Sequence, residues 1–141
     1  MTIALNIKKR QEIEGELPQT ILLVDQKRAT ADLMKVYLRA DGYSVDHTPD
    51  PSQALKFAAQ SKYGVVITDL VMHGITGLDL YREIKSHYDE QVRFMFLLSI
   101  SGGDAALRLM GTLERGDIIK KEPLSINEVI FKVRAAFTSS R

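Results

Sequence analysis

Several polar residues stand directly behind short apolar runs in this chain. Asp25 and Gln26 follow "TILLV", Asp69 follows "GVVIT", Ser99 follows "RFMFLL", and Lys120 and Lys121 follow "DII". A carboxylate at the end of a buried strand is costly unless its charge is used. Two such carboxylates brought together repel, and one pKa rises, unless a cation lies between them. Mg²⁺ suits that place, because it takes hard oxygen ligands, keeps several waters and works with phosphates. A neighbouring lysine would pair with an anionic group, and a hydroxyl would donate a hydrogen bond to it. Two acids, a hydroxyl and a lysine therefore suit one task. They would place a phosphoryl group on Asp69, with metal and lysine holding its charge.

These side chains act together only if the fold brings them together. With 141 residues, 45% of them hydrophobic, the chain fits one domain with a real core. Residues 1–19 read as an N-terminal extension, and residues 20–138 as the domain. "TILLV" is short and continuously apolar, as expected of a strand covered on both faces. A helical stripe of Ala29, Leu33, Val36, Tyr37 and Ala40 follows it, and then a weaker strand around Tyr43 to His47. Asp50 and Pro51 read as the N-cap and first residue of a helix through about Gln60. "GVVIT" makes a third strand, with a helix marked by Leu78, Tyr81, Ile84 and Tyr88. "RFMFLL" makes a fourth, with a helix marked by Ala106, Leu109, Met110 and Leu113. "DII" makes a short fifth. In the last helix, Ser125 and Glu128 have capping-box spacing, and Val129, Ile130, Val133, Ala136 and Phe137 form its stripe. Strands alternating with helices imply a parallel sheet with helices on both faces. Such sheets bind ligands beyond the carboxyl ends of their strands, where the strand order reverses. If the order is 2-1-3-4-5, Asp25 and Asp69 meet at that point.

The totals narrow the function further. Lys and Arg number 19 against 18 Asp and Glu, which leaves no basic surplus for direct nucleic-acid binding. Cysteine is absent, so disulfides and thiolate metal sites are excluded. No apolar run approaches ~18 residues, and the N-terminus lacks the apolar core of a signal peptide. The expectation is a cytoplasmic domain with no membrane contact.

Taken in order, "ILLVD", "LRADGYSV", "VVITDLVM" with Gly77 beyond it, "FLLS" and "DIIKK" before "PLS" resemble the receiver domain of two-component response regulators. The resemblance runs over roughly Thr20 to Phe137. It implies a flavodoxin-like three-layer α/β sandwich, with a five-stranded parallel sheet in the order 2-1-3-4-5. It also implies a phosphorelay role. Asp69 would accept a phosphoryl group from a histidine kinase or phosphotransfer protein and switch contacts with a downstream protein target or output domain. Such a domain is not an enzyme in the ordinary sense, since it catalyses only its own phosphoryl transfer and dephosphorylation. Asp25, Asp69 and the backbone carbonyl of Val71 would be the metal ligands. Ser99 would contact the phosphoryl group and move on activation, and a lysine after the fifth strand would complete the site.

The chain departs from the family's pattern at several places. Gln26 stands where a second acid usually ligates Mg²⁺; its amide oxygen can still coordinate but carries no charge, which predicts weak metal binding. His73 replaces a proline in the loop beside the acceptor, removing a fixed φ. The usual Lys-Pro becomes "KKEP". Aligning on Pro123 puts Glu122 in the lysine position, whereas aligning on "DII" puts Lys121 there, with Lys120 as the alternative. The strand fixes register more firmly than the loop, which favours Lys121. Ile118 occupies the place of a switching aromatic. "SISGGD" is glycine-rich for a helix start and reads as a mover. Gln26 and "KKEP" also motivate a second reading, a pseudo-receiver that binds proteins without phosphorylation. A flavodoxin-like cofactor binder is the weakest reading, because "VDQKRAT" has no glycine to cradle a phosphate.

Overall fold

The computed structural model describes residues 18–99 and 117–138. Its strands are β1 (Thr20–Val24), β2 (Ser44–Thr48), β3 (Val65–Asp69), β4 (Arg93–Leu98) and β5 (Asp117–Lys120). Its helices are α1 (Arg28–Ala40), α2 (Pro51–Gln60), α3 (Gly77–His87) and α4 (Ile126–Thr138). The helix expected across Ala106 to Leu113, the glycine-rich stretch beyond Ser99 and the extension up to residue 17 lie outside the described residues.

All five strands pair in parallel, in the order β2-β1-β3-β4-β5. The flavodoxin-like arrangement expected from the sequence is the one observed. Alternation along each strand splits the core in two. Ile21 and Leu23 of β1, with Ile67 of β3, face α1 and α4, where Met34, Leu38, Val129 and Val133 close the layer. Leu22, Val24 and Val66 point the other way, toward Ala54 of α2 and Leu80 and Ile84 of α3. Both faces of β1 and β3 are buried, which is why these strands read as unbroken apolar runs. Each fully buried leucine or isoleucine there contributes about 1.5–3 kcal/mol from its removal from water.

The helix ends follow from local chemistry. Asp50 caps α2 by accepting from the Ser52 amide, and Pro51 is its first residue. Thr76 and Asp79 form a reciprocal capping box at α3, which the sequence reading did not pick out. Before α4, the Glu128 amide donates to Ser125 Oγ, and Leu124 packs on the core that contains Val129.

The stripe expected on α1 is corrected. Leu33, Val36 and Tyr37 are exposed, at 40%, 63% and 49%, while Ala31, Met34 and Leu38 are buried. Two apolar stripes compete on this helix, and the one with fewer large side chains packs on the sheet. On α3, Leu78 and Ile84 are buried as expected, but Leu80 joins them and Tyr88 is exposed.

Candidate functional site

Parallel pairing decides which strand ends become neighbours. Val24 of β1 stands opposite Thr68 of β3, so Asp25 and Asp69, the next residues, lie level at the carboxyl edge. Asp69 itself pairs with Leu97 of β4, which places Ser99 two residues beyond that level. Leu98 pairs with Lys120, and the Lys121 amide donates to the Leu98 carbonyl at 2.9 Å. Lys121 is buried at 7% exposure, whereas Lys120 is exposed. Of the two lysines, the structure brings Lys121 to the acids.

The Lys121 ammonium bridges both carboxylates, with Nζ 2.5 Å from Asp25 Oδ1 and 2.7 Å from Asp69 Oδ1. Neither acid relies on it alone. Asp25 also accepts from the Lys27 amide at 2.9 Å and the Thr30 hydroxyl at 2.5 Å. The backbone N–H of Gln26 donates to Asp69 Oδ2 at 2.8 Å. Sequence reading missed Thr30; its signal is a hydroxyl five residues after an acid, on the first turn of the helix that follows.

Two carboxylates share one ammonium here, and the electrostatics reflect it. Burial, reinforced by the Asp25 charge, raises the Asp69 pKa above the usual carboxylate range, despite the bonds from Lys121 and Gln26. Burial pulls the Lys121 ammonium down, but its bonds to Asp25 and Asp69 and their charges outweigh that and leave its pKa above the usual lysine value.

A cleft of about 240 Å³ opens beside Asp69 and Lys121, lined also by Gln26, Lys27, Val71, Ser99 and Glu122. Ser99 Oγ donates to Glu122 Oε1 at 2.9 Å. Glu122 entered the sequence reading only as the wrong-register occupant of the lysine position. Its proximity to Ser99 arises because "KKEP" carries one residue between the lysine and Pro123. Gly77 packs against the end of β3 so closely that a Cβ there would lie 2.3 Å from the Asp69 carbonyl oxygen. Ile118, opposite Phe96 in the β4–β5 pairing, is half-buried.

The donor set offered to a divalent cation is all oxygen: Asp25, Asp69, the Val71 carbonyl and the Gln26 amide. It is short of charge. Among the described residues no cluster of three or more His, Cys, Asp or Glu could hold a metal ion. The Gln26 oxygen also accepts a long bond from the His73 amide, at 3.4 Å, which a proline at 73 could not donate. A hard cation fits this set only by sharing Asp25 and Asp69 with Lys121. The cleft thus offers a carboxylate nucleophile, an ammonium and amide donors beside it, and a hydroxyl within the same opening. That is equipment for holding a negatively charged group on Asp69.

Among the described residues no helix is long and apolar enough to cross a membrane. The chain is 29% identical over 118 residues to "Probable transcriptional regulatory protein TcrX" of Mycobacterium tuberculosis, covering 84% of this chain and 49% of that protein. It is 26% identical to "Transcriptional regulatory protein ResD" of Bacillus subtilis, covering 82% and 46%. The chain spans about half the length of these curated relatives. Among solved structures, the receiver domain of the hybrid histidine kinase CckA superposes with a TM-score of 0.68 at 25% identity, covering 84% and 99% of the two chains. A response regulator described as putative, from Chloroflexus aurantiacus, superposes with a TM-score of 0.70 at 23% identity, covering 85% and 98%. Residues 21–132 match the family model of the response regulator receiver domain, and the chain belongs to that family.

Proposed function

We propose that this receiver domain accepts a phosphoryl group on Asp69 from a histidine kinase or phosphotransfer protein and thereby switches its contacts with a downstream protein or output domain. The observation that carries the reading is the Asp25–Lys121–Asp69 arrangement at the carboxyl edge of the sheet, beside an open cleft. An Asp69 oxygen attacks the phosphorus of the phosphohistidine, the P–N bond breaks with its electron pair staying on nitrogen, and the imidazole takes a proton from solvent and leaves neutral. Lys121 then pairs with an oxygen of the transferred group, and the Ser99 hydroxyl donates to another. The backbone N–H of Gln26 keeps the carboxylate oriented during attack. When bound, Mg²⁺ neutralises charge on the transferring group. Asp25, Asp69, the Val71 carbonyl and the Gln26 amide would hold it, weakly, because Gln26 brings no charge. The domain promotes its own phosphorylation and dephosphorylation, and no other substrate turns over. The acting unit is residues 20–138, placed in the cytoplasm, with residues 1–19 as an extension.

A phosphorylation-independent binding module is not favoured, since acid, lysine and hydroxyl are all kept around one cleft. Intact mass after incubation with a small-molecule phosphoryl donor and Mg²⁺ tests the proposal. The expected result is a gain of one phosphoryl group in the wild type and none in Asp69→Asn. No gain in the wild type, or an equal gain in the variant, overturns it.

A further inference from the structure

The Ser99–Glu122 hydrogen bond is not accounted for by phosphoryl transfer. Ser99 closes β4 and Glu122 follows Lys121, so the bond joins the ends of two neighbouring strands across the mouth of the cleft. Glu122 also lines the cleft that contains Asp69, and its Oε1 is held there by the Ser99 hydroxyl. A phosphoryl group brings nearly two negative charges and strong acceptor oxygens. It would compete for the same hydroxyl and repel the same carboxylate. The two arrangements exclude one another: the hydroxyl serves Glu122, or it serves the phosphoryl group.

We propose that Glu122 is a positioning residue that acts as a latch: its carboxylate holds the Ser99 hydroxyl in the unphosphorylated protein and has to release it when Asp69 is modified. This rests on Asp69 being the phosphoacceptor, and it adds a device to that site. The inserted residue between Lys121 and Pro123 leaves the lysine on the acids while placing a competing acid at the hydroxyl. The latch opposes phosphorylation twice, by occupying the donor that would stabilise the product and by setting a like charge against it. It also gives the switch two defined states that the modification distinguishes, as a bistable element requires.

The test uses the full chain with acetyl phosphate and Mg²⁺, comparing wild type, Glu122→Ala, Ser99→Ala and the double variant. A bond to a charged acceptor is strong enough that its loss should raise phosphoryl incorporation in Glu122→Ala by about tenfold. In the Ser99→Ala background the same substitution should change incorporation much less, since no hydroxyl remains to be released. The Ser99 Cβ and Hβ resonances, which follow its rotamer, should shift in Glu122→Ala before any donor is added. A gain of equal size with and without Ser99 would mean bulk charge repulsion and overturn the latch. So would unshifted Ser99 resonances, or incorporation in Glu122→Ala equal to wild type. If neither the wild type nor Glu122→Ala takes up phosphoryl, the phosphoacceptor reading falls and the latch with it. A Ser99 shift in that case would show that the bond exists but serves no phosphoryl switch.

Discussion

At the scale of single residues, the site trades stability for charge. Two buried carboxylates answer to one ammonium, and the Asp69 pKa stands above its ordinary value because burial disfavours its charged form. A raised carboxyl pKa means the folded state prefers the protonated form. The stability associated with that form is fully present below the unfolded pKa of about 3.9 and is lost as pH rises through the folded value. Asp69→Asn never ionises and escapes the loss. It should therefore melt above the wild type at pH 7, with the gap closing toward pH 4 in calorimetric scans. A variant no more stable than wild type at neutral pH would contradict this. Lys121 has the opposite role. Lys121→Met strands both carboxylates and should lower unfolding free energy at pH 7 by about 3 kcal/mol, whereas Lys120→Met at an exposed position should stay within ~0.5 kcal/mol. Denaturant titration of the two variants separates the alternatives that "KKEP" left open in sequence.

At the scale of elements, the loop from Asp69 to α3 is held by its end rather than by its length. Thr76 and Asp79 cap α3 reciprocally, at 3.0 and 2.9 Å, and the Gly77 amide donates to the Leu70 carbonyl at 2.8 Å. Thr76→Ala should cost about 1 kcal/mol of stability by denaturant titration, the ordinary worth of such a cap. Gly77→Ala should cost more, about 2–3 kcal/mol, because its Cβ would collide with backbone at Asp69 that cannot move without shifting the Asp69 side chain. That variant should also slow phosphoryl incorporation, while Thr76→Ala leaves it nearly unchanged. The helices also show where periodicity misleads. On α1 the stripe with more large apolar residues, Leu33, Val36 and Tyr37, is exposed, and the stripe of Ala31, Met34 and Leu38 packs on the sheet. Hydrophobic spacing says that a helix exists; the sheet beneath it says which stripe fits.

At the scale of the whole molecule, a single sheet keeps two cores apart. Ile67 packs with α1 and α4, and Ile84 with α2 and the aromatic cluster of Phe94 and Phe96. Ile67→Val and Ile84→Val should each cost about 0.5–1.5 kcal/mol, and the double variant should lose the sum to within ~0.5 kcal/mol. A clear departure from additivity in chemical denaturation would mean that the layers are coupled through the sheet. The same architecture separates what could be read in advance from what could not. Strand positions, the Asp50 cap and the polar residues at the sheet's edge were legible in the sequence, because buried parallel strands impose continuous apolar runs and their ends carry the chemistry; the order of the sheet followed only from the resemblance to receiver domains. Strand register already favoured Lys121 over Lys120, and the β4–β5 pairing settled the choice by turning Lys121 inward and Lys120 out. The bond from Ser99 to Glu122 was decided the same way, since it joins residues 23 apart in sequence that meet only where two strands end side by side. Local spacing cannot carry such contacts; they exist only once the sheet has set its neighbours.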